Sequence, residues 1–165
     1  MSVAIRPERA GDERAIHAVV RAAFDGHPHS DGSEPAIVDA LRADGDLAIS
    51  LVAEDGGAIV GHVAFSPVAI ADGGEGWFGL GPVAVMPQRQ GEGIGAALIE
   101  RGLALLRERD AAGCVVLGEP DYYGRFGFAH DPALTYPGPP PEYFRRLVIE
   151  GPGASGVVTY APAFG

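Results

Sequence analysis

The sequence predicts a mixed α/β fold, with a mostly antiparallel central sheet, one parallel βαβ unit and helices on both faces. Three observations predict it. Short apolar runs joined by turns at Asp55-Gly56-Gly57 and Asp72-Gly73-Gly74 fill residues 48–85, as in an antiparallel meander. Apolar residues then recur at helical spacing over residues 94–109. The all-apolar run Cys114-Val115-Val116-Leu117 follows, as expected of a buried parallel strand.

Taken in order, Val3 to Ile5 alternates into a short strand. Asp12 reads as an N-cap, before Ile16, Val19, Val20 and Phe24 on one helical face. A polar loop covers residues 25–32. Ser33 then caps a second helix, with Pro35 in its first turn and Ile37, Val38 and Leu41 facing inward. Residues 48–54, 58–70 and 77–85 read as strands, the second of them long. The glycine-rich loop 91–95 leads into the helix 94–109, where Ile94, Ala97, Leu98, Leu105 and Leu106 pack on the sheet. Strand, helix and the run 114–117 make one βαβ unit. Residues 137–141 form a proline-rich loop, and residues 157–160 a final strand.

Composition bounds the rest. A chain of 165 residues suits a single domain over residues 1–165. With 47% hydrophobic and 21% charged residues the balance is that of a globular protein. A domain of this size buries roughly 70% of its unfolded surface and needs no disulfide. The one cysteine, Cys114, fits a reducing, cytoplasmic setting. The opening Met1-Ser2-Val3-Ala4-Ile5-Arg6-Pro7 lacks the apolar core of a leader, and no run approaches a membrane span of ~20 residues. A formal net charge of -10 argues against nucleic acid and suits a cationic partner.

The most informative stretch is Val83-Ala84-Val85-Met86-Pro87-Gln88-Arg89-Gln90-Gly91-Glu92-Gly93-Ile94-Gly95-Ala96. Glycines permit a positive φ and a close approach of ligand to backbone. The N–H groups of a first helical turn, aided by the helix dipole, then form an anion site suited to phosphate. Arg89 adds a charge that can meet a diphosphate. No Gly-Lys-Ser/Thr follows, which excludes a Walker loop. Gly91-Glu92-Gly93-Ile94-Gly95-Ala96 also fits the G-x-G-x-x-A dinucleotide fingerprint, with Glu119 as the ribose acid. Against this, residues 86–90 separate the strand from the first glycine, and only one βαβ unit is present.

Gln90-Gly91-Glu92-Gly93-Ile94-Gly95 resembles the Q/R-x-x-G-x-G/A acetyl-coenzyme A motif of the GNAT acetyltransferase superfamily, and Tyr123-Gly124-Arg125-Phe126-Gly127-Phe128 resembles its Y-x-x-x-G-F element. Residues 61–67, 122–128 and 160–164 look like the bacterial YhbS-like branch, so the resemblance covers essentially the whole chain. It implies the GNAT fold, acetyl-coenzyme A as cosubstrate and acetylation of an amine by direct transfer, in a monomer or homodimer. It also implies that backbone groups of Val83 and Val85 pair with the pantetheine arm. The N–H groups around Gly91, Gly93, Gly95 and Ala96 would hold the diphosphate, with Ala84, Arg89, Gln90 and Ile94 in the same binding stretch. Tyr123 falls at the position of the general acid. A non-catalytic acyl-coenzyme A sensor is the alternative from another class.

The chemistry asks for two proton movements. A thiol leaves with a pKa near ~8.5 and a phenol sits near ~10, so a tyrosine can protonate the departing sulfur. An alkylammonium near ~10.4 must shed a proton first, which costs ~4.6 kcal/mol at pH 7. Many relatives place a glutamate on the strand before the glycine loop. Here that strand reads Trp77-Phe78-Gly79-Leu80-Gly81-Pro82-Val83 and holds no acid. Glu34, Glu75, His62 and Glu119 are the candidates for the base. Cys114 reads as a core residue, and His27, His29 and Asp31 as a solvent-facing group without a metal.

Overall fold

The computed structural model describes residues 3–165; Met1 and Ser2, which open the segment read for a leader, lie outside the described residues. In chain order come β1 (Val3–Pro7), α1 (Glu13–Phe24), α2 (Glu34–Asp44), β2 (Ile49–Asp55), β3 (Ala58–Pro67), β4 (Ala69–Ile70) and β5 (Trp77–Val85). Then follow α3 (Ile94–Glu108), β6 (Gly113–Leu117), α4 (Pro120–Gly124), β7 (Leu134–Thr135), β8 (Phe144–Val148) and β9 (Gly156–Thr159). These elements form two units. One comprises the residues up to Phe65 with Gly81–Leu103, the other Ser66–Leu80 with Ala104–Gly165.

In the first unit β1, β2 and β3 pair antiparallel, with Val3 opposite Asp55 and Ile49 opposite Phe65. A bulge between Ala53 and Glu54 shifts the register near the hairpin turn. Alternation then sends neighbouring residues to opposite faces. Val52 and Ala84 join Ile16, Val19, Val20 and Val38 under α1 and α2. Gly61 and Phe65 meet α3 on the other face, because a Cβ at Gly61 would lie 3.1 Å from both Ile94 and Leu98. A Cβ at Gly102 would overlap the ring of Phe65. The two glycines let α3 sit directly on β3.

Asp12 and Ser33 occupy the N-cap positions of α1 and α2, but neither side chain caps its helix. Asp12 instead accepts from Arg6 Nη1 at 2.8 Å and from the Arg9 N–H at 2.7 Å, and Ser33 donates to Asp31. For Asp12 the Arg6 guanidinium on β1, and for Ser33 the Asp31 carboxylate, take the side chain that would otherwise cap the helix. At the other end of α2, Gly45 takes the left-handed conformation with φ 77°, and its N–H returns to Arg42 and Leu41.

In the second unit β5 runs parallel to β6 from Trp77 opposite Gly113 to Leu80 opposite Val116, and β8 pairs antiparallel to β6. The run predicted over residues 114–117 is this fully apolar strand. A small second sheet places β9 between β4 and β7. The single long strand expected over 58–70 is thereby corrected. Pro67 has no N–H to continue the ladder, and Ala69–Ile70 turns away to pair with β9. The core of this unit gathers Ile70, Trp77, Val115, Leu134, Phe144 and Val158. The alternating burial of β5 breaks at Gly79 and Leu80, which are buried in succession.

Candidate functional site

The stretch singled out in the sequence lies in the first unit. Ala84 is buried against α1, while Val83 and Val85 on either side stay partly exposed. Met86 donates to the Val60 carbonyl at 2.9 Å, which ties the end of β5 to β3. Residues 87–89 then wind one tight turn, closed by the Arg89 N–H on the Met86 carbonyl at 2.8 Å. The side-chain amide of Gln90 reaches back and donates to the Val85 carbonyl at 3.1 Å.

Gly91 and Gly93 both adopt left-handed backbone, with φ of 82° and 84°. A Cβ at either would meet nothing within 4 Å, so the loop presents bare backbone to open space. The first bond of α3 runs from the Ala97 N–H to the Gly93 carbonyl at 3.0 Å. The N–H groups of Ile94, Gly95 and Ala96 therefore have no acceptor inside the helix and face the loop. Ile94 is buried at the contact with β3 and anchors this turn. An exposed row of donors at a positive helix end is the arrangement a phosphate needs.

Arg89 is held rather than extended. Its Nη1 lies 3.0 Å from Asp55 and its Nε 3.1 Å from Glu92. The bond to Glu92 first, and then that to Asp55, raises its pKa further. An anion that approached this guanidinium would have to share it with two carboxylates.

Tyr123 lies in the second unit, on the short helix α4, which the sequence reading does not predict. Its ring meets Tyr122 edge-on at 5.0 Å and Phe128 at 6.1 Å. It also occupies the space a side chain at Gly118 would need. Burial pushes its phenol up to about 12. Tyr122 packs edge-on against Phe126 as well, under the Arg125 guanidinium 4.5 Å from its ring centre. Cys114 is fully buried and its thiol is pushed up, as befits a packing residue.

Of the candidate bases, Glu34 takes the Ser30 hydroxyl at 2.6 Å. His62 is buried on β3, with Nε2 2.8 Å from Ser50 Oγ. Ser50 gives its single proton to Glu8 at 2.6 Å, and Glu8 is itself clamped by Arg42 through two bonds of 2.8 Å. His62 must therefore carry its proton on Nε2 and leave Nδ1 as a bare, unpartnered acceptor. Burial drops its pKa to about 4, so the ring is neutral. His27 and His29 lie with ring centres 5.9 Å apart, and Asp31 is engaged by Ser33. No cluster of three or more metal-ligating side chains occurs among the described residues, and no described helix is long and apolar enough to cross a membrane.

Comparison with known proteins identifies the family. The family model for an acetyltransferase (GNAT) domain matches residues 4–130. The N-acetyltransferase YhbS of Escherichia coli is 37% identical over 97% of both chains. Its crystal structure in complex with coenzyme A matches with a TM-score of 0.89 at 34% identity, covering 98% of this chain and 91% of that one. A GNAT family acetyltransferase from Brucella melitensis, solved in complex with acetyl-coenzyme A, is 47% identical over 99% of both chains, also with a TM-score of 0.89. This chain is a member of the GNAT acetyltransferase family.

Proposed function

We propose that this protein transfers the acetyl group of acetyl-coenzyme A directly to a primary amine. One observation carries the reading. Gly91 and Gly93, left-handed and open, deliver the bare N-terminus of α3, in a chain 47% identical to a protein solved with acetyl-coenzyme A. The residues fit that cosubstrate. The N–H groups of residues 91–96 take the diphosphate. Backbone groups of Val83 and Val85 take the pantetheine arm, apart from the Val85 carbonyl, which Gln90 already uses. The thioester supplies an acetyl carbon to which nitrogen bonds while the carbon–sulfur bond breaks; the departing sulfur takes a proton from the Tyr123 phenol, and the amine's surplus proton, by way of solvent, restores that phenol.

Tyr123 is the proposed donor of the proton that sulfur receives. A phenol raised to about 12 is fully protonated at neutral pH. Against a thiolate in water, near ~8.5, donation is uphill by ~3.5 units or about 5 kcal/mol. A thiolate forming in an equally dry setting is raised by the same desolvation, which narrows the gap. Both units are read as parts of one catalytic domain, since the family match spans residues of each. The proposed setting is the cytoplasm.

The test is a panel of amines with acetyl-coenzyme A, scored by release of free thiol, beside calorimetry with coenzyme A and NADH. Thiol release that depends on an amine, with coenzyme A bound and NADH not, is the expected result. Tight NADH binding without coenzyme A binding would overturn it in favour of a dinucleotide protein.

A further inference from the structure

The first unit holds a hollow of about 500 Å³ between α1 and the β2–β3 hairpin, the size of a small-molecule pocket. Its floor is Val19, Ile59 and Met86, which belong to the apolar cluster under α1. Side-chain size accounts for the gap. Ala15 and Ala18 line it from α1, and Gly57 and Ala58 from the hairpin, all too short to fill it. One end is polar, where Arg6, Asp12 and Glu54 meet. Arg6 is fixed there by a pattern that leaves one donor unused. Its Nη1 and Nη2 donate to Asp12 at 2.8 and 3.3 Å, and Nη1 also donates to the Pro7 carbonyl at 3.0 Å. Nη2 donates in addition to Glu54 Oε2 at 3.0 Å. In a planar guanidinium the Nη2–H turned from Asp12 lies beside the Nε–H, on one edge. That Nε is buried and has no partner. Glu54 has not closed on the edge, because its contacts with Arg6 and with Arg9, the latter at 3.9 Å, both fall on Oε2. An unused N–H and an unused carboxylate oxygen thus belong to two groups already joined by a hydrogen bond.

A guanidinium held between two carboxylates selects its ligand by charge. A carboxylate ligand would meet Asp12 and Glu54, and an ammonium would pair with Glu54 yet leave Nε bare. A primary carboxamide carries an acceptor oxygen and an N–H on one side of one planar group, which answers both. We infer that this hollow is a binding site for a neutral small molecule bearing a primary carboxamide on an aromatic or apolar body. The amide oxygen accepts from Arg6 Nε, the amide N–H donates to Glu54 Oε1, and the body covers Ile59 and Met86. The site goes beyond acetyl transfer and does not depend on that reading. The loop assigned to coenzyme A leads into α3, which seats on the opposite face of β3.

The test uses the full chain and its Arg6→Lys and Ala18→Leu variants, with benzamide as the probe and benzoate and acetophenone as comparisons of the same size. Binding is followed by ligand-observed NMR, with and without saturating coenzyme A, and melting temperature is measured without ligand. Benzamide should bind the wild type with a Kd on the order of 1 mM, equally with coenzyme A present. Benzoate, which is charged and lacks a donor, and acetophenone, which lacks only the donor, should each bind at least about tenfold more weakly, the size of one lost hydrogen bond. Arg6→Lys keeps the charge but not the Nε–H, and should weaken benzamide about tenfold. Ala18→Leu replaces an exposed residue with a good helix former that fills the hollow, so binding should vanish while melting temperature holds. No benzamide binding to the wild type, equal binding of benzoate, or wild-type binding by a folded Ala18→Leu protein would each overturn the site. Displacement of benzamide by coenzyme A would also overturn it, by placing the amide in the cosubstrate's site.

Discussion

The side chain of Gln90 is bonded to the carbonyl of Val85, five residues back, at 3.1 Å. This bond closes the turn between the end of β5 and the first glycine, so it sets where the loop begins. Gln90→Leu keeps the bulk and loses one hydrogen bond, worth about 1 kcal/mol. Coenzyme A affinity should fall by about fivefold in calorimetry, with melting temperature down by ~3 °C. Unchanged affinity would remove Gln90 from the loop's support.

Gly93 has φ 84° with open space where a Cβ would stand. Gly93→Ala meets no atom of the protein and fails through its backbone, at about 1–2 kcal/mol. Melting temperature should drop by ~3–6 °C. Coenzyme A affinity should fall by at least about tenfold, as the loop relaxes and the methyl group enters the phosphate's approach. Gly93→Val should bind more weakly still. A folded Gly93→Val protein with normal affinity would end the loop's assignment.

Tyr123→Phe keeps the ring packing on Tyr122 and Phe128 and removes only the proton. General acid catalysis is worth ~10² to ~10⁴ in rate, and a thiolate leaves well unaided, so kcat should fall by about 10². Coenzyme A affinity should not change. With the phenol at about 12, ionisation of Tyr123 should not limit kcat anywhere below pH ~11. Wild-type kcat in the variant would take Tyr123 out of the mechanism.

His62 titrates near 6.5 in the unfolded chain and about 4 in the folded one. The unfolded state therefore binds the proton first as pH falls. Stability is complete above pH 6.5 and declines through the interval down to about 4, by about 3 kcal/mol. Glu8, held below its ordinary pKa, adds a further loss at the acid end. Denaturant titrations across this interval should show the slope, and His62→Gln should flatten it. A wild type equally stable at pH 6.5 and 4 would contradict a buried neutral ring.

What the sequence made legible follows from the range of the forces involved. β5 is legible over Trp77–Val85 because turn glycines bound it and its apolar residues are continuous. The left-handed Gly91 and Gly93 are legible because three glycines crowd a helix start. α4 is not, since five residues from Pro120 to Gly124 show no repeat. β8 is not, since Arg145 and Arg146 interrupt its apolar pattern although they pair with Val116 and Val115 of β6. The pairing of Arg89 with Asp55 depends on where the β2–β3 hairpin places its turn. Such relationships are set by tertiary register and leave no local mark.

The seating of α3 on β3 through Gly61 and Gly102 bears on kinetics as well as architecture. With the Ile94 and Leu98 side chains seated on Gly61 and the Phe65 ring seated on Gly102, helix and strand interlock closely, and Ile94 pins the first turn to that surface. The donors of the loop are consequently preorganised before any ligand arrives. Little conformational entropy remains to be lost on association, and encounter need not wait for a rearrangement. A cosubstrate captured by such a rigid cradle should bind in a single kinetic phase, its observed rate rising linearly with concentration.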